Sequence, residues 1–130
     1  MREIKFRAWH KKYKYMARVA DISFNRGIVN LNGADISKIE DLELMQYTGL
    51  KDKNGVEIYE GDILKYPDND EKDCIGVVEY GHFNCSCCHA VFGFTTINYK
   101  GWEIDMLVND KEQTPLYEVI GNVFEDKELL

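Results

Sequence analysis

The chain has no apolar run approaching the ~20 residues that a membrane-spanning helix requires, and its first residues, MREIKFRAWHKK, lack the continuous apolar stretch of a secretory signal. Cytoplasmic residence, away from any membrane, is therefore expected. In that compartment the four cysteines, Cys74, Cys85, Cys87 and Cys88, are expected to be reduced thiols, because cytosolic redox buffers disfavour structural disulfides. The common chemical signatures are missing too: there is no G-x-x-x-x-G-K-[ST], G-x-S-x-G, H-E-x-x-H or G-x-G-x-x-G. No catalytic residue is nominated on this basis, and a non-enzymatic role is expected. No internal repeat or low-complexity linker breaks the 130 residues, so one domain over 1–130 is expected, with two packed lobes divided near 67–73.

What is present suits a self-folding globular chain. Hydrophobic residues make up 45% and charged ones 30%, which separates the sequence from polar, aromatic-poor disordered segments. The net charge of −7 argues against general nucleic-acid binding, which depends on basic groups neutralising phosphates. The charge is unevenly placed, however. Residues 1–18 hold Arg2, Lys5, Arg7, Lys11, Lys12, Lys14 and Arg18 against Glu3 alone, a balance of +6, which leaves −13 on the remainder. A basic N-terminal patch on an acidic body suits an acidic protein, RNA or DNA, or the acidic surface of a second copy.

Hydropathy alternation predicts strands almost throughout. Ile4 to Trp9 alternates, with Ile4, Phe6 and Ala8 on one face and Lys5, Arg7 and Trp9 on the other, and a second strand around Tyr13 to Met16 completes a hairpin over residues 2–20. Ile22, Phe24, Ile28, Val29 and Leu31 suggest a short hairpin ending at Asn32-Gly33. The stretch from Ser37 to Leu44 is ambiguous, since Ile36, Ile39, Leu42 and Leu44 hint at one helical turn or two. In LMQYTGLKDKNGVEIYEGDILKY, Leu44 to Tyr47 forms a strand, Asn54-Gly55 the tight turn and Val56 to Tyr59 the return. Gly61-Asp62 then turns the chain into Ile63 to Tyr66. Residues 67–73 and 109–115 read as polar loops, Cys74 to Tyr80, Ala90 to Thr95, Ile97 to Trp102 and Tyr117 to Val123 as strands, and FEDKELL as an acidic tail with a helical turn. The fold class is mainly β: a small SH3-like or barrel-like domain of short antiparallel strands with at most one or two short helices.

Three groups of residues invite chemistry. Cys74, Cys85, Cys88 and His89 include enough soft ligands for a tetrahedral zinc site, although C-x-C-C-H differs from the paired C-x-x-C grips of structural zinc. Cysteines in a loop without a metal are the plainer reading, so no cofactor is expected and zinc is the alternative. The carboxylates Glu57, Glu60 and Asp62 lie near one turn and suit an acid/base pair or a cation, yet Asp62 beside Gly61 suits a turn that accepts backbone hydrogen bonds. Finally, Arg2, Lys5, Arg7, Trp9, Lys11, Lys12 and Lys14 supply cations interleaved with an aromatic, the pattern of an interaction or nucleic-acid face. Half-buried strand aromatics that serve the core are the simpler account.

Three separated blocks, MREIKFRAW, LMQYTGLKDKNGVEIYEGDIL and YEVIGNVFEDKELL, resemble the YopX family of small phage and prophage proteins, in order and over nearly the whole length. The segments between roughly 12 and 42 and between 67 and 115 match only as spacers. The resemblance implies a β-rich fold, a tendency to assemble into oligomers and residence in the cytoplasm of a bacterial host, and it brings no catalytic residue. The expected partners are the chain itself and a phage or host protein, with nucleic acid as the alternative. His10 departs from the family pattern, in which an acidic residue is common, and the CSCCH cluster is an addition that borrows no meaning from it.

Overall fold

The computed structural model of the chain describes residues 3–65, 75–84, 90–98, 103–106 and 117–129. Eleven strands and two 3-10 turns make up the regular structure among the described residues, so the mainly β expectation of short antiparallel strands holds. The strands fall into two compact units, Met1–Tyr47 and Thr48–Leu130.

In the first unit the order is β4-β3-β2-β1-β5, with every pair antiparallel. Strand β1 (Phe6–His10) is central, pairing with β2 (Tyr15–Ser23) on one side and β5 (Leu42–Lys51) on the other. Ala8 lies opposite both Ala17 and Leu44. The small side chains of Ala8 and Ala17 share a buried cluster with Val29, Leu31 and Leu42, with Tyr15, Val19, Ile22, Ile39 and Leu44 around the margin. Strands β3 (Ile28–Leu31) and β4 (Asp35–Lys38) are joined through Asn32 and Gly33. Both have positive φ, at 54° and 79°, the backbone that tight hairpin turns need and that Asn and Gly adopt most readily. The Asn32 side chain also accepts the Arg18 N–H at 3.0 Å, holding this turn against β2.

One expectation holds and one changes here. The hint of a helical turn from Ile36, Ile39, Leu42 and Leu44 is met by a single 3-10 turn (Ile39–Asp41) between β4 and β5. The first strand is also buried more deeply than an alternating half-buried strand, since Ala8, Trp9 and His10 are consecutively buried. Trp9 falls on the face opposite Ala8, the face that also carries the buried Met45 and Tyr47.

In the second unit, β6 (Glu57–Tyr59) lies beside the C-terminal part of β5. A five-stranded antiparallel sheet has the order β10-β9-β8-β7-β11, with β7 at Asp62–Lys65, β8 at Ile75–Asn84, β9 at Ala90–Asn98, β10 at Glu103–Met106 and β11 at Glu118–Asn122. Ile58, Leu64 and Val78 form its buried centre, flanked by Leu50, Tyr117 and Val119. The boundary between units falls inside β5, between Tyr47 and Thr48. A strand whose two halves serve different ladders has no linker composition, so nothing in the residues marks the break. The segment 67–73 lies outside the described residues, as does the expected loop 109–115.

Candidate functional site

The basic patch begins with the way β1 turns into β2. His10, 6% exposed, accepts the Tyr13 N–H on Nδ1 at 3.2 Å, and its carbonyl accepts the Lys14 N–H at 2.8 Å. Its ring stacks on Tyr15 at 5.3 Å between centroids and lies 4.8 Å from that of Tyr13. A buried imidazole thus stands under the four-residue loop, and the Lys11 N–H is tied to the Asp41 carbonyl at 3.1 Å. The loop is held from inside and from the side. Lys11, Lys12, Tyr13 and Lys14 are all exposed on it, with the Lys12 ammonium 5.2 Å from the Tyr13 ring centroid. Lys14 has a φ of 54°, a left-handed backbone that costs a side-chain-bearing residue about 1 kcal/mol relative to glycine. A cation is kept where glycine or asparagine would sit with less strain.

The other residues of the expected face are placed differently. Lys5 and Arg7 are half-buried, and Lys5 pairs with Glu3 at 3.2 Å while lying 5.5 Å from the Tyr47 ring centroid. Trp9 is only 9% exposed, so its ring is not available for a base to stack on. Arg2 lies outside the described residues. Of the expected face, the described residues that are exposed cations are therefore Lys11, Lys12 and Lys14, which share the loop at one tip.

Of the three carboxylates weighed as acid/base candidates, Asp62 is 2% exposed and accepts the Tyr59 N–H at 2.8 Å, the turn role that the glycine before it suggested. Glu57 and Glu60 are half-buried. The sequence reading passed over Asp52, which does more. At 4% exposure, its Oδ1 accepts the N–H groups of Asn54 at 2.8 Å and Val56 at 2.9 Å, and its Oδ2 accepts that of Val119 at 2.9 Å. Burial pushes its pKa up, but the N–H groups of Val119, Val56 and Asn54, joined by the charge of Lys53, outweigh burial and leave it below the ordinary carboxylate value. An aspartate two residues ahead of Asn-Gly was the available signal, since such a side chain bonds the backbone of the turn it precedes. A similar arrangement closes the C-terminal turn, where Asp126 accepts the Asn122 N–H at 3.1 Å and Asn122 Oδ1 accepts those of Phe124 and Glu125, each at 3.0 Å.

The zinc candidates Cys74, Cys85, Cys88 and His89 lie outside the described residues. Among the described residues, no group of three or more His, Cys, Asp or Glu side chains is arranged to hold a metal ion. No helix among them is long and apolar enough to cross a membrane.

Residues 5–130 match the family model described as YopX protein. Among solved structures, the chain is similar to the crystal structure of protein EF1440 from Enterococcus faecalis, at 26% identity and a TM-score of 0.67, with 100% of this chain and 99% of that one covered. No curated protein matches it.

Proposed function

The chain belongs to the YopX family, and from that premise we propose that it is a phage or prophage accessory protein of the bacterial cytoplasm, a non-enzymatic, self-associating β-rich module that binds an acidic partner through the tip of its first hairpin. The observation that carries this reading is the group of three exposed lysines beside an exposed tyrosine, on a loop braced by a buried histidine, in a chain whose residues 19–130 carry −13. Opposite charge steers association and sets orientation, and an anchored loop presents its charges with little ordering cost. The buried carboxylates Asp52 and Asp62 are engaged by backbone N–H groups, which supports a structural use of them.

Fluorescence anisotropy with labelled polyglutamate and with single- and double-stranded DNA and RNA tests the tip. Salt-sensitive binding of polyglutamate by the wild type, lost in Lys11→Glu/Lys12→Glu/Lys14→Glu, is the expected result. Binding of nucleic acid in preference to polyglutamate would shift the reading to a nucleic-acid module, and no binding of either at low salt would remove the tip from it. Light scattering over a concentration series tests self-association separately. A pull-down from phage-infected cells then identifies the partner.

A further inference from the structure

His10 braces the tip in one protonation state only. Its Nδ1 accepts the Tyr13 N–H at 3.2 Å, so that nitrogen carries no proton and the ring is neutral, with its own N–H on Nε2. An imidazolium has a donor at both nitrogens and no acceptor at either. Protonation therefore sets N–H against N–H, and turning the ring over offers a C–H in place of Nδ1. Two other bonds hold the loop, from the Lys11 N–H to the Asp41 carbonyl and from the Lys14 N–H to the His10 carbonyl, and both join backbone groups. Of the three, the bond to Nδ1 is the one that depends on a proton.

The register shows what surrounds the ring. His10 lies opposite Tyr15 on β2 and Leu42 on β5, on the face it shares with Ala8, Ala17 and Leu44. The titratable groups that face it are the phenols of Tyr15 and Tyr13, with ring centroids at 5.3 and 4.8 Å. The charged groups of the adjoining elements are Lys11, Lys12 and Lys14 in the loop, Asp41 in the 3-10 turn and Glu43 on β5, of which Glu43 pairs with Trp9 on the opposite face. Lys14 supplies an alternative for the loop. Its left-handed backbone, at a φ of 54°, is disfavoured for a residue with a side chain, so the loop gains by relaxing once the Nδ1 bond is gone.

We infer that protonation of His10 releases the tip loop and weakens its hold on an acidic partner, so that binding by the three lysines is switched off in mild acid. The inference rests on the tip reading in the proposed function and supplies its regulation. Histidine is the side chain whose charge ordinarily changes between about pH 5 and 8, and the two-state element it biases here is the loop. An imidazolium also adds a cation, which by itself favours an acidic partner. That charge stands under the loop at 6% exposure, whereas the exposed lysines lose their fixed spacing and have to be ordered again on binding. Presentation outweighs the added charge.

The test follows the full chain from about pH 7.5 to about pH 5 by nuclear magnetic resonance of the His10 ring and by amide exchange corrected for its intrinsic pH dependence. His10→Asn keeps an acceptor bonded to Cγ, as Nδ1 is, and does not titrate; His10→Phe keeps a ring without an acceptor. As the wild-type ring takes up its proton, protection of the Tyr13 amide should fall about tenfold while that of Ala8 holds. His10→Asn should keep Tyr13 protected throughout, and His10→Phe should leave it open throughout. Labelled polyaspartate, whose carboxylates titrate near ~3.9 and stay charged over this range, should bind the wild type about threefold more weakly in acid and His10→Asn equally at both ends. A ring that stays neutral throughout, Tyr13 protection that ignores its titration, an equal fall in His10→Asn, or wild-type binding unchanged or tighter in acid would overturn the switch. Absence of polyaspartate binding even at about pH 7.5, with Tyr13 protection still following the ring, would instead remove the tip from the proposed function and leave the proton-dependent brace standing. Should His10→Phe fail to fold, the wild type and His10→Asn decide.

Discussion

Replacing Asp52 by alanine should destabilise the chain strongly. The side chain accepts three backbone N–H groups, two from its own turn and one from Val119 on β11, sixty-seven residues away. Asn54 and Val56 are exposed, so water partly replaces the carboxylate there, at about 0.5–1 kcal/mol each, whereas the half-buried Val119 N–H loses about 1.5 kcal/mol. The total is about 3 kcal/mol, or roughly 10 °C in melting temperature for a chain of this size. Asp52→Asn keeps an acceptor for the turn but sets an amide group against the Val119 N–H, so about half of the loss is expected. Because the folded pKa of Asp52 lies below its ordinary value of 3.8, the carboxylate's stabilisation is present above that value and is lost as pH falls through the lowered one. The gap between wild type and Asp52→Asn should therefore narrow in strong acid. Urea unfolding followed by far-ultraviolet circular dichroism, at neutral pH and in acid, measures both effects. A cost below about 1 kcal/mol for alanine, or a wild-type–Asn gap that does not change with pH, would refute the role given to this carboxylate.

Two further substitutions probe packing. A Cβ at Gly121 would lie 2.6 Å from Asp126 Oδ2 and 2.8 Å from its Cβ and Cγ, so Gly121→Ala should cost about 2 kcal/mol, and adding Asp126→Ala should cost less than the sum, as read by urea unfolding. Leu31→Ala empties a fully buried position in the small core around Ala8, Ala17, Val29 and Leu42, and about 3 kcal/mol is expected; a loss under 1 kcal/mol would mean that the site collapses around the gap.

Much of the scaffold was legible because local chemistry and tertiary position agree. Asn54-Gly55 turns where its residue types require, Asp62 accepts the bond that a carboxylate after glycine in a turn can accept, and the alternation from Phe6 produces β1. What escaped depends on partners distant in the chain. Nothing local shows that Asp52 will meet Val119, or that the β5 ladder passes from β1 to β6 along one unbroken strand. Trp9 is grouped with Lys5 and Arg7 by alternation, which assigns a residue to a face without saying whether that face is covered. The tip cations were legible as charge but not as a site, since it is the His10 bonds that gather Lys11, Lys12 and Lys14 on a braced loop.

The three blocks that carry the family resemblance are also those that pair with one another. Strand β1 lies beside β5, β7 lies beside β11, the Lys53 N–H reaches the Tyr117 carbonyl at 3.1 Å, and the Val123 N–H reaches that of Gly61 at 2.9 Å. The shared sequence is thus a set of mutually bonded turns and strands whose glycines and aspartates are occupied in holding the backbone. Most of the tip loop and the whole of the uncharged run of residues 80–99 lie in the spacers between these blocks, which is where a scaffold can vary without losing its ladders. Family membership therefore predicts how this chain folds far better than what it binds. The charge of Lys11, Lys12 and Lys14 and the neutrality of residues 80–99 are properties of this chain, and its partners are to be sought through them.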